Sequence, residues 1–376
     1  MHGHIDFPAR TRVAWTVSKN GPVPPGTAPV LEPGAIVRRT LHYPPLLLFV
    51  LSAAPVRAQD IGQQISVLTA QNAQGFVGPL ARGVGHALTA GFVSSADPHG
   101  MLGFDVGVRL VGAWFPETDE TFEVVLPTTA TYTNPLFGAK TYSNPYAASN
   151  SGRSPTVAGE GSGVVLSPTG TFRGDLTLTG LDPDDFDIQF PDGLDFSAAP
   201  LVVLEGSLGI GFDTQIMARI VPTINVGKLS GVDEIGNVSA FGFGVMHSLT
   251  QWLPIPTPFW DVSVVAGTQK FGLGNYAVAK GTTLGLVTSA GLGPLSVYAH
   301  GSTYQAGVDL DYTVSNPQNN PGLPANGTRL EFKEEVKRTQ RLAIGAQLDF
   351  ILLKFSAEYG TGDYSTLSGR ATFGFR

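Results

Sequence analysis

Runs of about ten residues with a two-residue hydrophobic period recur along this chain and constrain its fold more than any other feature. In the first clear run Phe104, Val106, Val108 and Leu110 alternate with Asp105, Gly107 and Arg109. Leu342, Ile344, Ala346, Leu348 and Phe350 alternate with Ala343, Gly345, Gln347 and Asp349, and the chain closes with Ala371, Phe373 and Phe375 against Thr372, Gly374 and Arg376. Period two is the mark of a strand with two unlike faces. No stretch reaches the roughly 18 apolar residues that a spanning helix needs. A closed barrel crosses a bilayer without one, because every backbone N–H and C=O pairs with a neighbouring strand. The pattern therefore predicts an all-β fold, a transmembrane antiparallel up-and-down barrel, with large apolar side chains towards lipid and Gly, Thr and charged residues towards a lumen. A soluble β-sandwich also alternates, but seldom with 47 glycines and only 14% charged residues.

The N-terminus reads as a processing signal rather than as structure. Arg38-Arg39 precedes the apolar run 43–55, too short to span, and Val56-Arg57-Ala58 fits a small-residue cleavage site. Residues 37–58 are thus predicted to be a signal peptide, with the mature chain starting at Gln59. Residues 1–36, rich in Pro and Gly and without periodicity, are expected either to be disordered or to lie upstream of a translation start at Val37. Removing residues 1–58 takes away six Lys/Arg and two Asp/Glu, so the formal charge moves from −7 to −11. Such a balance excludes nucleic-acid binding by counterion release, which needs clustered Lys and Arg. The absence of Cys excludes a disulfide framework, a Cys-ligated metal and a Cys nucleophile.

Within 59–88, Ile61, Ile65, Leu68, Phe76, Leu80 and Val84 recur at helical spacing, broken at Gly75 and Gly78-Pro79. This segment is expected to be a short helix in the barrel mouth or plugging the lumen, the alternative being a periplasmic tail with no fixed place. From residue 89 to 376, turn signals divide the chain into about fourteen strands, with twelve as the alternative count. The fourteen include segments near 89–96, 121–132, 161–168 and 172–180, and an even count returns both termini to the periplasmic side. Short turns are predicted near 167–170, 211–213, 291–294 and 351–352, and long loops at 133–160, 181–200, 227–236 and 313–328. Trp114, Trp252, Trp260, Tyr298, Tyr304, Tyr359 and Tyr364 fall near predicted strand ends, where girdle aromatics sit.

The most distinctive block for chemistry is Ser94-Ser95-Ala96-Asp97-Pro98-His99-Gly100, followed by Leu102-Gly103-Phe104-Asp105. Asp97, His99, Asp105 and Arg109 are the candidate lumen or loop residues. A functional reading makes His99 a proton-responsive latch or ligand, since its charge changes near neutral pH. The simpler reading is an Asp-Pro turn with a solvated His99 and an inward Asp105 paired to Arg109. Asp182, Asp184, Asp185, Asp187, Asp192 and Asp195 form an oxygen-rich loop in which Ca²⁺ is conceivable, but the spacing matches no EF-hand and a solvated acidic loop needs no ion. Glu331, Lys333, Glu334, Glu335, Lys337, Arg338 and Arg341 either line an entrance or belong to a long strand projecting past the bilayer with cross-strand ion pairs. There is no Gly-x-Ser-x-Gly elbow, His-Glu-x-x-His or phosphate loop, so neither an enzyme nor a cofactor is predicted.

The run from Leu88 to Pro116, with its Ser-Ala-x-Pro-His and Leu-Gly-Phe-Asp-x-Gly elements, resembles a family of uncharacterised Gram-negative outer-membrane β-barrel proteins. Pro258-Phe259-Trp260-Asp261-Val262-Ser263 and the C-terminal hairpin match the same family. The closing Phe373-Gly374-Phe375-Arg376 is similar to the aromatic C-terminal assembly signal of outer-membrane barrels, departing from it in the final Arg. Fourteen strands with an N-terminal lumenal segment is also similar in plan to the long-chain fatty-acid outer-membrane transporter class. These likenesses imply residence in the outer membrane, with outer-membrane lipid as a partner. They lead to a channel or transporter for a small or hydrophobic solute as the expected function. The alternative is a structural or assembly protein that presents its surface loops to partners and transports nothing. An open or ligand-filled lumen favours the first, a side-chain-packed lumen the second.

Overall fold

The computed structural model describes residues 68–375 except 135, 137, 226–236, 254–258, 275 and 317–320. The expectations for the signal peptide, the Val37 start and residues 59–67 lie outside the described residues.

Ten strands close on themselves. They are Phe104–Trp114 (β1), Ala198–Gly211 (β2), Thr214–Asn225 (β3), Asn237–Ser248 (β4), Trp260–Leu273 (β5), Ala277–Leu292 (β6), Leu295–Thr313 (β7), Arg329–Phe350 (β8), Leu353–Thr361 (β9) and Thr366–Phe375 (β10). Each pairs antiparallel with its sequence neighbour, and β1 pairs with both β2 and β10, so no edge is left open. Phe104 stands opposite Phe375 at this seam, their rings meeting edge to face with centroids 6.1 Å apart. The two-residue period fixes what each face shows. On β8 the outward Leu342, Ile344, Leu348 and Phe350 are exposed while the inward Arg341 and Gln347 are buried.

Ten, not fourteen or twelve, is the barrel count among the described residues, and the four surplus segments have identifiable fates. Residues 89–96 form no strand; they run extended down the lumen. Segments 121–132, 161–168 and 172–180 all fall in one insert, residues 115–197, between β1 and β2. There Thr121–Glu123 pairs with Arg153–Pro155, Thr129–Asn134 forms a hairpin with Gly138–Ser143, and Tyr146–Ala148, Val165–Pro168 and Ile188–Gln189 form a third small sheet. The predicted strand near 172–180 is instead the helix Gly170–Leu178 (α2). The long loop expected at 133–160 is part of this insert, and that expected at 181–200 is so up to residue 197, with 198–200 already in β2. The predicted turn at 167–170 leads into α2 instead of closing a barrel hairpin. Those near 211–213, 291–294 and 351–352 are true hairpins of the wall.

The insert shares a core with the segment from Leu68 to Val77: Tyr142, Leu166, Phe172, Leu176 and Phe190 join Leu68, Phe76 and Val77 in one cluster. Lys140 and Tyr142 both reach Asp175 Oδ2, the tyrosine donating at 2.9 Å. The hydrogen bond from Lys140, then that from Tyr142, holds the Asp175 carboxyl below its ordinary range. Tyr142 is pushed up to about 12, first by burial and then by its bond to Asp175.

Ala70–Leu88 (α1) starts at the Thr69 cap, whose side chain accepts from Asn72 N, and runs unbroken through Gly75, Gly78 and Pro79. It lies inside the barrel. Its residues contact β1, β2, β6, β7 and β8, strands on different sides of the wall. The glycines that read as breakers are contact points. A Cβ on Gly83 would lie 2.8 Å from Ala199 Cβ and from Phe115, and one on Gly85 would lie 3.0 Å from Ala306 Cβ. The wall is thinned in the same way: Gly267 leaves room for the Phe92 ring, and Gly281 for Leu88 and Thr89.

The helix enters at the end that carries the long connections. Tyr312, at the top of β7, donates to Leu68 O at 3.0 Å; Asn72 exchanges hydrogen bonds with Val125 of the insert; Gln74 and Arg82 donate to Glu334 near the start of β8. Residues 89–99 continue to the opposite end, where His99 meets Asp105 at the foot of β1. The lumenal segment therefore extends past the predicted boundary at 88. One lumenal pass plus ten strands is an odd number of crossings. Leu68 and the C-terminus accordingly lie at opposite ends, contrary to the expectation that both termini share a side.

Candidate functional site

The four candidate residues converge at the lower end of the lumen, where the descending segment turns into β1. Alternation along β1 places Asp105 and Arg109 two inward positions apart, and the turn at Pro98 brings His99 back over them. His99 Nε2 lies 2.8 Å from Asp105 Oδ2, and both residues are buried. His99 is therefore not the solvated residue of the simpler reading; its backbone N–H donates to Gln215 Oε1 at 2.9 Å. Asp105 does not pair with Arg109 either. Its Oδ1 accepts from Arg370 at 2.8 Å and from Ser207 Oγ at 2.7 Å. Arg109 turns to Glu205, donating from Nε at 2.9 Å, and also reaches Ser368. Asp97 lines the same cleft, with its backbone N–H on Ser95 Oγ at 3.1 Å.

Three residues of this network escape a reading of the distinctive block alone: Glu205 on β2, Arg219 on β3 and Arg370 on β10. Glu205 is the hub, accepting from Arg109 and Arg370 and lying 3.5 Å from Arg219. Arg219 also donates to the carbonyls of Ala90 and Gly91 and sits 4.0 Å over the Phe92 ring, so it ties the lumenal segment to the wall. Parity carries a signal for two of them. Glu205 interrupts the apolar run Leu201–Leu204, and Arg370 shares the inward parity of Thr372 and Gly374. Three guanidinium groups against two carboxylates, all in a low-dielectric interior, hold each other by charge-assisted hydrogen bonds. They border a small cleft, partly open to solvent. Ser207 donates to Asp105 and not to His99, so these three side chains form no nucleophilic relay.

Higher up, a second layer fixes the helix. His86 Nδ1 lies 2.8 Å from Tyr304 Oη, its ring stacks on Tyr364 at 4.3 Å, and Arg341 lies 4.2 Å over the Tyr304 ring. Arg341 also donates to His86 O at 3.0 Å, near the C-terminal end of the helix, where a cation is favoured. Arg82 bridges to Asp119 and Glu334. Tyr298, Tyr304 and Tyr364 thus face the lumen and are not girdle aromatics, whereas Trp114, Trp252 and Tyr359 are exposed.

Of the predicted mixed-charge run, Glu334 and Arg341 point inward to α1. Lys333 and Glu335 pair with each other on the outer face, and Arg329 pairs with Asp311 across the strands. In the acidic loop Asp182 caps a short 3₁₀ turn, Asp184 meets Arg173 and Asp192 accepts from Gly163 N. Among the described residues no three His, Cys, Asp or Glu side chains gather to hold a metal.

A family model matches residues 38–375, nine-tenths of the chain. The chain belongs to the family of unknown function DUF6588. No curated protein matches it. Among solved structures the DUF6588 chain is similar to Ail, the attachment invasion locus protein of Yersinia pestis, at 7% identity and TM-score 0.22, covering 73% of this chain and 98% of that one. It is also similar to the outer-membrane protein OmpT of Vibrio cholerae in its trimer form, at 10% identity and TM-score 0.22, over 72% and 98% of the two chains. The β domain of the Bordetella autotransporter BrkA gives 11% identity and TM-score 0.29, over 72% and 99%. Such values fix no strand-to-strand correspondence. The fourteen-strand plan on which the likeness to fatty-acid transporters rested is replaced by ten strands among the described residues.

Proposed function

We propose that this DUF6588 chain is an outer-membrane β-barrel sealed by its own N-terminal segment. It anchors and displays the 115–197 insert at the loop end and does not act as an open diffusion channel. The observation that carries the reading is the inverted polarity of the wall. Leu342 and Ile344 are 71% and 67% exposed on the outside, while Arg109, Arg219 and Arg341 are buried within. In water this arrangement is the wrong way round; in lipid it is the expected one. The outer face of β8 changes from Glu331, Lys333 and Glu335 to apolar at Leu342 and stays apolar through Leu352. Ten residues at about 3.3 Å each, tilted by about 40°, make roughly 25 Å, the height of a barrel's apolar band.

The lumen supports the display reading over transport, because α1 and residues 89–99 are packed against most of the wall. A second reading, passage of a small solute, draws on the cleft beside Glu205, and requires the helix to move. Membrane insertion is tested on protein recovered from the membrane fraction in mild detergent. Unboiled protein is expected to run faster than boiled protein on a gel, as a closed barrel does. Recovery in the soluble fraction without a shift would remove the membrane premise.

A further inference from the structure

A column of buried polar atoms without hydrogen-bond partners runs down the inner face of β7 to β10. At its head Arg341 keeps Nε and one terminal nitrogen unpartnered, beside Ser302, which stands directly opposite on β7 and whose Oγ is likewise orphaned. One step lower His300 Nε2 has no partner and leans over Gly285, where a Cβ would lie 2.6 Å from it. Below follow one carboxylate oxygen of Glu358, then Ser356 Oγ and Thr372 Oγ1. All six residues are at least nine-tenths buried. An orphaned buried polar atom is costly, so seven in one column call for a common partner.

The register shows where the column leads. Ser356 stands between Gln347 on β8 and Arg370 on β10, and Thr372 stands opposite Lys354. Gln347, Lys354 and Arg370 line the cleft at the turn end. By strand register the column therefore leads down to the residues that line that cleft. On the adjacent strand β6, directly opposite His300, Val287 instead belongs to an apolar cluster with Phe92 and Met246.

We propose that these groups hold a file of bound water molecules, hydrating the lumen from the turn-end cleft up to Arg341. Facing side chains such as Arg341 and Ser302 offer a water two polar partners, the condition for a buried water to be retained. The file stops at Arg341 because His86, Tyr304 and Tyr364 fill the section above it, followed by the apolar Ala306, Val308 and Val336. The seal of the barrel is thus the lower half of α1 with this aromatic layer, and the lumen beneath it is wet. The proposal rests on the sealed membrane-barrel reading.

The chain has no cysteine, so single-cysteine variants report without background. Ser302→Cys, Ser356→Cys and Thr372→Cys are compared with Val287→Cys as the dry control, in folded protein whose gel shift has been checked. Each is exposed to aqueous silver ion, and the thiols left over are counted by maleimide after unfolding. The three file positions are expected to be protected about tenfold or more faster than Val287→Cys, since water carries the ion to them. Equal, slow protection at all four positions in shifted protein overturns the file and leaves the barrel standing. Loss of the gel shift in the unsubstituted protein overturns the barrel itself. Ser→Cys changes one atom, and three positions along the column keep the test open if one variant does not fold.

Discussion

Replacing Glu205 with alanine is expected to destabilise the barrel more than any other single charge removal, lowering the midpoint of its heat transition by on the order of 5–10 °C. Glu205 accepts from Arg109 and Arg370 and faces Arg219. Without it the carboxylate that Arg109, Arg219 and Arg370 share is gone, and three buried guanidinium groups face one another. Breaking a buried pair by removing one partner costs about 3–5 kcal/mol, because an uncompensated charge stays behind. Glu331→Ala is the matched control. Its carboxylate is 71% exposed and meets Arg329 at 3.6 Å on the surface, so its loss should move the midpoint by no more than about 1–2 °C. Gel mobility after stepwise heating reads both. Equal midpoints for the two variants would show that the lumenal network contributes nothing to holding the wall closed.

Deleting Ala70–Leu88 is expected to turn a silent barrel into a conducting one. The helix is about 10 Å or more across with its side chains, and it fills the section that ten strands enclose. Removing it also removes His86 from the aromatic layer and frees Arg82 from Asp119 and Glu334. In planar lipid bilayers the full chain should show little steady conductance, and the deletion variant a conductance on the order of ten times higher or more. Gly267→Trp reaches the same end more gently. A Cβ there already lies 2.6 Å from Phe92, so the larger ring pushes the descending segment off the wall and should give flickering openings. A full-length chain that conducts as well as the deletion variant contradicts the seal and favours the transport reading.

The wall was legible in the sequence because period two survives wherever one face meets lipid and the other a lumen. Phe104–Trp114, Leu342–Phe350 and Ala371–Phe375 lie in β1, β8 and β10 with the predicted parity. The count failed where a different constraint produced similar signals. Turn residues and short β-prone stretches between 115 and 197 belong to an insert that buries Phe172 and Leu176 in a core shared with Phe76 and Val77 of α1. The lumenal helix was only half legible, since Gly75, Gly78 and Pro79 break a free helix but let this one approach the wall. The candidate site was visible in part: Asp105 and Arg109 announce themselves as charges on an apolar strand. Of their true partners, Arg370 is brought beside β1 only by barrel closure, and Glu205 lies on β2 beyond the 115–197 insert.

The account stands on a lipid-embedded barrel threaded by its own N-terminal helix from the loop end, and the sidedness of the two ends tests it most directly. An epitope placed immediately before Leu68 and another after Arg376 are probed with antibody on intact cells and again after the outer membrane is opened. The odd number of crossings predicts that the epitope before Leu68 is reached on intact cells and the C-terminal one only after opening. Both epitopes appearing under the same condition would contradict the threading, and both being released with the soluble periplasmic contents would contradict the membrane barrel.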